Sequence, residues 1–322
     1  PPKPFVGEWD RALAYMVAPE FLPFFSVVIP TFNRAGLLGV ALRSVLQQTC
    51  PDFELIVVDN GSTDETKTSI SRIGDSRIRY IFQEGSGSPA SPRNHGILKA
   101  RGNWIAFLDS DDTWDPRKLE VTQRKLSATS YDFLVHQQRL VNSQDQIRGF
   151  MGPEEKNLTY QNLLLTENTI ATSSVAIRRE FLQANNLMFN ERTRYAAIED
   201  YDLWLRVLAV GGRPGVIDEA LGTNIETEGH MGVPDLFFKN LHNLFKDHAW
   251  KVQEFSQNPK KLEKRLFAGV ALRNAMTRAR QKKFLQTIFL VGQAIYLCPS
   301  EARRYAALRF RQRRDRRTRR LA

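Results

Sequence analysis

Phe107-Leu-Asp-Ser-Asp-Asp112 is an apolar stretch that runs directly into three carboxylates. The run Trp104–Leu108 predicts a buried strand, so Asp109, Asp111 and Asp112 follow at its carboxyl end. Carboxylates this close repel one another and shift their pKa values unless a cation or a hydrogen-bond network compensates them. A divalent metal that carries a diphosphate is one such cation, because Mg²⁺ and Mn²⁺ prefer hard oxygen ligands.

The same segment also has a purely structural interpretation. Asp109 would end the strand, while Asp111, Asp112 and Asp115 would supply turn and helix-cap oxygens before Pro116. The segment alone leaves both interpretations open.

Short apolar runs alternate with helical patterns through the first half of the chain. Four runs predict strands, at Phe25–Pro30, Glu54–Asp59, Arg77–Phe82 and Trp104–Leu108. Ser91-Pro92 predicts a helix N-cap followed by a proline at the first helical position, and Gly102 predicts the end of that helix. Strand alternating with helix predicts an α/β fold, with a mostly parallel central sheet flanked by helices.

Polar residues follow three of these strands. They are Thr31-Phe-Asn-Arg34, Asp59-Asn-Gly-Ser62 and Asp109-Ser-Asp-Asp112. Ligands bind at the carboxyl ends of the strands in parallel sheets. Three polar strand ends at one edge therefore favour a functional site over three unrelated turns.

Gly85-Ser-Gly-Ser-Pro-Ala90 matches the pattern of a dinucleotide-binding turn, but the match is misleading. It follows the third strand instead of the first, and Pro89 and Pro92 prevent a helix from starting where that turn requires it. We interpret the segment as a flexible loop that leads into a helix carrying Arg93, whose first turn could face a phosphate.

Composition points to a globular protein without a disulfide framework. The 322 residues are 42% hydrophobic and 25% charged, and the two cysteines, Cys50 and Cys298, have no metal-type spacing. Two isolated cysteines favour a reducing compartment, and the first residues do not resemble a signal peptide. We therefore expect a cytoplasmic protein.

The net charge of +11 is concentrated at the carboxyl end. From residue 299 onward ten arginines face two acidic residues, a net of +8. This tail follows Phe284–Leu297, an apolar helix too short to span a bilayer. Together they could rest on the inner face of a membrane, or the tail could be a solvated helix end. Nucleic acid is an unlikely partner, because no recognised binding motif accompanies the charge.

Five segments resemble, in order and spacing, the signature blocks of the family 2 glycosyltransferases. They are Ser26–Arg34, Val57–Asp64, Pro92–Ile97, Phe107–Asp112 and Glu199–Arg206. The resemblance extends from about Phe24 to His230. It implies the GT-A fold, a nucleotide-diphosphate-sugar donor, a divalent metal (Mn²⁺ or Mg²⁺) held at a D-x-D motif, and transfer with inversion at the anomeric carbon.

The resemblance also implies roles for residues of the donor site. Asp59 would hydrogen-bond the base, most simply the N–H of uracil, and Asn60 replaces a second aspartate that the family often has, which leaves the base preference open. Asp109 would reach the ribose or the metal, Asp111 would be the principal metal ligand, and Asp112 stays unassigned. The remaining donor or metal contacts implied are Pro30, Thr31, Arg34, Arg93, Ser110 and His230.

Sugar transfer also needs a base that removes the proton of the acceptor hydroxyl. Glu199 and Asp200 begin an apolar helical segment, and by resemblance Asp200 is the catalytic base. Alternatively, these are ordinary acidic first-turn residues that the helix dipole stabilises. Trp204 lies either beneath the acceptor or in the core.

We predict an amino-terminal extension (1–23), a GT-A domain (24–234) with a nucleotide-binding half (24–112) and an acceptor half (113–234), and a helical carboxyl-terminal region with an arginine-rich tail (235–322). The acceptor would be a glycan or a lipid-linked glycan in surface polysaccharide or glycolipid synthesis. Two alternatives remain, a protein or peptide acceptor and a non-catalytic nucleotide-sugar-binding module.

Overall fold

The computed structural model describes residues 22–142, 144–166, 168–225, 234–249, 258–305 and 307. Its strands are β1 Phe25–Thr31, β2 Phe53–Asp59, β3 Ile78–Phe82, β4 Trp104–Phe107, β5 Thr113–Trp114, β6 Phe133–Val141, β7 Ile147–Met151, β8 Val175–Arg178 and β9 Pro214–Ile225. Its α-helices are α1 Ala35–Leu46, α2 Thr66–Ile73, α3 Ala90–Lys99, α4 Lys118–Ser127, α5 Tyr160–Leu165, α6 Arg179–Ala184, α7 Glu199–Ala209, α8 Pro234–Ala249, α9 Pro259–Arg280 and α10 Phe284–Leu297.

The strands of the described residues form one sheet in the order β3-β2-β1-β4-β8-β6-β9-β5, and β7 pairs with β6. The first four of these strands are parallel, as the alternating pattern predicted. The second half of the chain extends the same sheet. There β8 lies antiparallel between β4 and β6, β9 runs parallel to β6, and β5 returns antiparallel to β9.

Both faces of β1, β2 and β4 are buried, and because side chains alternate along a strand, successive residues belong to different core clusters. Val28, Ile56 and Phe107 belong to a core cluster on one face, which Trp204 of α7 also joins. The neighbouring positions, including Val27, belong to a second cluster on the other face. Burial on both sides explains why the strands read as continuous apolar runs instead of alternating ones.

The start and the end of α3 differ from the prediction. The helix begins at Ala90 and has no side-chain cap. The hydroxyl of Ser91 instead accepts a hydrogen bond from Gln83 Nε2 at 3.2 Å. The helix ends at Lys99, before Gly102. A Cβ on Gly102 would lie 2.6 Å from the carbonyl carbon of Phe25, so close packing against β1, and not helix termination, requires a glycine there.

The carboxyl-terminal helices pack against the body and against one another. Leu244 and Phe245 of α8 join the core cluster that contains Trp204. Ala268 of α9 contacts the cluster around Ala294 of α10. These contacts confirm the predicted α/β class with a helical carboxyl-terminal region, while the domain boundaries remain a proposal. Within the described part of the chain, no helix combines the length and the apolar character needed to cross a membrane.

Candidate active site

The carboxyl ends of β1, β2 and β4 open into a cavity of about 710 Å³. Nine of the predicted site residues line it, namely Pro30, Thr31, Arg34, Asn60, Arg93, Asp109, Ser110, Asp111 and Glu199. The strands explain this convergence, because Thr31 pairs with Asp59 and Val28 with Phe107 in parallel register. The segments that follow the three strands therefore leave the sheet at the same edge.

The loop between β3 and α3 forms another wall of the cavity, through Gly85, Gly87, Ser88 and Pro89. Asn60 holds this loop in place. Its side-chain oxygen accepts hydrogen bonds from the backbone N–H and the hydroxyl of Ser86, at 3.1 and 3.0 Å. The carbonyl of Asn60 is thus already occupied by the protein, in a position where the family often has an aspartate.

Asp59 is almost fully buried, with 1% of its surface exposed, and it is not among the residues that line the cavity. One carboxylate oxygen accepts from the backbone N–H of Ser62 and the other from the Tyr80 hydroxyl, both at 2.8 Å. The hydrogen bond that the Asp59 carboxylate would accept from a nucleobase N–H therefore stays a proposal, since protein donors already contact both oxygens.

Asp111 forms one of the two ion pairs between the carboxylate segment and an arginine. Its Oδ2 accepts from Arg34 Nη1 at 2.5 Å. The Asp111 side chain is 3% exposed and the Arg34 side chain 45% exposed. A buried carboxylate needs a compensating charge, and here the cation is a side chain that also reaches solvent.

Arg93 bridges the two acidic segments of the site. Its Nη2 donates to Asp109 Oδ1 at 2.6 Å and its Nη1 donates to Glu199 Oε1 at 2.9 Å. Burial by itself lowers the pKa of Arg93, but attraction to the carboxylates of Asp109 and Glu199 outweighs burial, and the net effect raises it. The side chain is 6% exposed, so Arg93 is a buried cation that ties α3 to the start of α7.

The contacts of Asp112 agree with a structural role in the loop after β4. Its carboxylate accepts from the Ser173 hydroxyl at 2.5 Å and from Asn224 Nδ2 at 3.0 Å, and the residue is 2% exposed. Burial raises the pKa of Asp112 well above its ordinary value, and repulsion from Asp109 and Asp111 adds to the effect. It does not line the cavity. The three carboxylates therefore divide into two that face the cavity and one that joins the loop to β9.

Asp200 lies one residue beyond Glu199 at the start of α7. Its Oδ2 is 3.2 Å from Asn168 Nδ2 and 3.4 Å from Thr172 Oγ1, and its Oδ1 accepts from the backbone N–H of Tyr201 at 2.6 Å. Burial and the charge of Glu199 raise the pKa of Asp200, Arg93 opposes both, and the net pKa is about 7. A carboxyl with this pKa can take up a proton near neutral pH.

Asp109 and Asp111 are the oxygen donors available for a metal. Within the described residues no group of three or more histidine, cysteine or acidic side chains is arranged to hold a metal ion. Mg²⁺ is commonly bound by one or two carboxylates together with substrate phosphates, and two carboxylates that line one cavity fit that donor set. His230, the third predicted ligand, lies outside the described residues.

Sequence reasoning missed the polar side chains that hold these carboxylates. Asn168 and Thr172 contact Asp200, while Ser173 and Asn224 contact Asp112. No short motif contains them, because 28 to 112 residues separate each from its partner. Trp204 is 0% exposed, so it takes the core position and not the acceptor position.

Comparison with known proteins agrees with the fold. The model of glycosyl transferase family 2 matches residues 26–184. The UDP-Glc:alpha-D-GlcNAc-diphosphoundecaprenol beta-1,3-glucosyltransferase WfgD of Escherichia coli is 32% identical over 183 residues, which cover 57% of this chain and 69% of that protein.

Two solved structures share the fold at low sequence identity. S. aureus TarS 1-349 in complex with UDP-GlcNAc superposes with a TM-score of 0.61 at 22% identity, over 86% of this chain and 82% of that one. The mannosyltransferase PcManGT from Pyrobaculum calidifontis, in complex with GDP-Man and Mn²⁺, has a TM-score of 0.56 at 16% identity, over 94% and 86%. These likenesses identify the fold as GT-A. The family model and the sequence match to WfgD show that the chain belongs to glycosyl transferase family 2 and is a glycosyltransferase.

Proposed function

We propose that the enzyme transfers a sugar from a UDP-sugar to an acceptor hydroxyl, with inversion at the anomeric carbon, in the synthesis of a surface polysaccharide or glycolipid. One observation carries the proposal. Arg93 joins Asp109 at the donor edge of the sheet to Glu199, so the residues for leaving-group contacts line the cavity and Asp200 follows directly after Glu199 in its wall. An inverting transfer needs both, charge stabilisation for the leaving group and a base for the acceptor hydroxyl.

The donor would lie across the carboxyl ends of β1, β2 and β4. Pro30, Thr31 and Asn60 would border the nucleoside, with Asp59 behind them, and Ser110 would lie beside the sugar nucleotide. UDP is the favoured nucleotide, because WfgD is named for UDP-Glc and the TarS structure contains UDP-GlcNAc.

The leaving diphosphate would be stabilised by Arg34 together with a divalent metal held by Asp111 and Asp109. When bound, the metal supplies positive charge where negative charge develops on the leaving oxygens. Arg34 is half exposed at the cavity and can contact both the Asp111 carboxylate and a phosphate oxygen. Arg93 would fix Asp109 and Glu199 from behind instead of contacting the phosphate itself.

Asp200 would act as the general base. The acceptor hydroxyl oxygen bonds to the anomeric carbon, its proton passes to the Asp200 carboxylate, and the bond from the anomeric carbon to the diphosphate oxygen breaks with its electron pair. Attack on the face opposite the leaving group inverts the configuration. Glu199 would position the site by holding Arg93, since its carboxylate already accepts from that arginine.

A lipid-linked glycan is the acceptor class that the relatives favour, because WfgD is named for a diphosphoundecaprenol-linked acceptor. Incubation with a labelled UDP-sugar and a panel of lipid-linked glycans, free glycans and peptides tests this choice. We expect label in the lipid-linked fraction. Label in peptide alone would show instead that the enzyme modifies proteins.

We expect UDP to raise the melting temperature when Mn²⁺ is present and much less when it is absent, because the metal links Asp111 and Asp109 to the diphosphate. A ligand at about 100 times its dissociation constant stabilises the folded state by about 2.7 kcal/mol. A thermal-shift panel of UDP, GDP and CDP, each with Mn²⁺ or with EDTA, measures this effect.

Asp111→Asn should remove the metal dependence of the UDP shift. Asp75→Asn is the matched control, because Asp75 also forms an ion pair with an arginine, Arg77, but does not line the cavity. In the wild type, an equal UDP shift with EDTA and with Mn²⁺ would rule out the metal role, and a larger shift with GDP would rule out UDP as the nucleotide.

The pH dependence of transfer should report the Asp200 carboxyl. The pKa of this carboxyl is about 7, so at lower pH it is protonated and cannot accept the hydroxyl proton. We therefore expect kcat/KM to rise as the pH increases through about 7. The charged groups that act on it are Glu199, Arg93 and Asp109. Initial rates between pH 5 and pH 9 at low donor concentration measure the profile.

Asn168→Ala should move this profile upward by about one pH unit, because it removes a hydrogen bond that favours the charged carboxylate. Asn185→Ala is the control, since the side chain of Asn185 is exposed and donates to Phe181 O in its own helix region. An unshifted profile in Asn168→Ala would show that Asn168 does not position the base.

A further inference from the structure

The outer face of α10 carries a continuous apolar stripe. The exposed fractions of its side chains are 67% for Phe284, 85% for Leu285, 69% for Ile288, 72% for Phe289, 50% for Ile295 and 88% for Tyr296. With 3.6 residues per turn, these six positions fall within about 140° of the helix circumference. Contiguous exposed apolar surface of this kind marks a contact with another protein or with a membrane.

The opposite face of α10 is fixed to the protein. Ala294 and Cys298 pack in a small core with Ala268, Ala271 and Leu272 of α9. Thr287 Oγ1 also donates to Ala275 O at 3.4 Å. Because its inner face is held in this way, α10 presents the apolar stripe (the six side chains above) outward as a fixed surface.

The charge around the stripe is positive. Lys282 and Lys283 precede α10, Arg303 and Arg304 follow it, and all four are exposed. The sequence from residue 281 to 300 contains no acidic residue, and the chain from residue 299 onward has a net charge of +8. A second copy of the chain would place like charges against each other, whereas an anionic lipid surface offers both apolar depth and opposite charge.

We propose that α10 docks in the plane of an anionic bilayer, with the apolar stripe in the boundary between headgroups and acyl chains and the flanking cations on the lipid phosphates. The helix has 14 residues and is about 21 Å long, which suits an interfacial position and not a spanning one. The proposal is separate from the transfer chemistry, because none of the six side chains lines the cavity.

Flotation of the full chain with lipid vesicles tests the proposal. One set of vesicles contains phosphatidylcholine alone, and the other contains phosphatidylcholine with about 30% phosphatidylglycerol. This fraction of phosphatidylglycerol gives the vesicles roughly the surface charge of an anionic leaflet. We expect the wild type to float with the anionic vesicles. Phe289→Glu should reduce the bound fraction by about tenfold or more, because it removes apolar burial and adds an opposing charge.

Leu98→Glu is the matched control, since Leu98 on α3 is 72% exposed, as Phe289 is. Leu98→Glu should float like the wild type. Phe289→Glu should still hydrolyse the donor in detergent, which would show that the substitution affects membrane binding and not the active site. Equal flotation of the two variants would overturn the proposal. The proposal would also be wrong if vesicle binding survived Phe289→Glu but was lost when residues 308–322 were deleted. It would likewise be wrong if the wild type formed dimers through the apolar stripe and bound no vesicles.

Discussion

Asp200→Asn is expected to lower kcat for sugar transfer by about 10³-fold, within the range that a positioned general base contributes. Asparagine has nearly the same shape, and its carbonyl can still accept from Asn168 and Thr172, so the variant keeps the size of the side chain and two of its three hydrogen bonds. What it loses is the capacity to take up the acceptor proton. Steady-state rates with a UDP-sugar and a lipid-linked acceptor measure the loss.

The variant must also be shown to fold and to bind the donor. The UDP-dependent shift in melting temperature should be unchanged in Asp200→Asn, because Asp200 is not among the residues that line the donor cavity. Asp218→Asn, on the exposed side of β9, is the control for loss of a carboxylate and should have normal rates. If transfer persisted undiminished in Asp200→Asn, the base assignment would be wrong.

Arg93→Met should cause the largest loss of stability of any single change at the site. The substitution leaves the buried Glu199 carboxylate and the half-buried Asp109 carboxylate without their shared cation. Breaking a buried ion pair by removing one partner costs about 3–5 kcal/mol. The free energy of unfolding from urea titration measures this cost.

Two comparisons show whether the cause is the uncompensated charge. Arg117→Met breaks a pair in which Arg117 is 57% and Glu219 is 44% exposed, and it should cost at most about 1 kcal/mol. Adding Glu199→Gln to Arg93→Met should restore part of the lost stability, since it removes one of the stranded charges. A double variant as unstable as the sum of the two single variants would refute the charge explanation.

The parallel half of the fold could be predicted from local sequence. Val27–Ile29 in β1 and Leu55–Val58 in β2 are continuous apolar runs, a composition typical of strands buried on both faces. The ends of α3 could not be predicted in the same way. Ser91 contacts Gln83 in place of capping the helix, and Gly102 is required by its contact with β1. Both facts depend on contacts with residues outside the helix.

At the candidate site, too, the sequence predicted the residues themselves but not their contacts. Asp109, Asp111 and Glu199 were predicted from motifs, and all three line the cavity. Their present partners were not predicted. The expected place of Arg93 near the diphosphate stays a prediction, and the structure adds that Arg93 lies between two carboxylates that are 90 residues apart in the chain. Ion pairs of this kind depend on which helix packs on which strand end, and residue spacing does not contain that information.

The carboxylate segment after β4 shows which properties the sequence determines and which the tertiary structure determines. Sequence by itself determined that an apolar strand delivers three negative charges to the edge of a parallel sheet, because strand burial and side-chain type are local properties. Tertiary structure alone decided how each charge is compensated: Asp109 by Arg93, Asp111 by Arg34, and Asp112 by Ser173 and Asn224. The physical reason is that the energy of a buried carboxylate depends on donors and cations within a few ångströms, and folding brings these from distant parts of the chain.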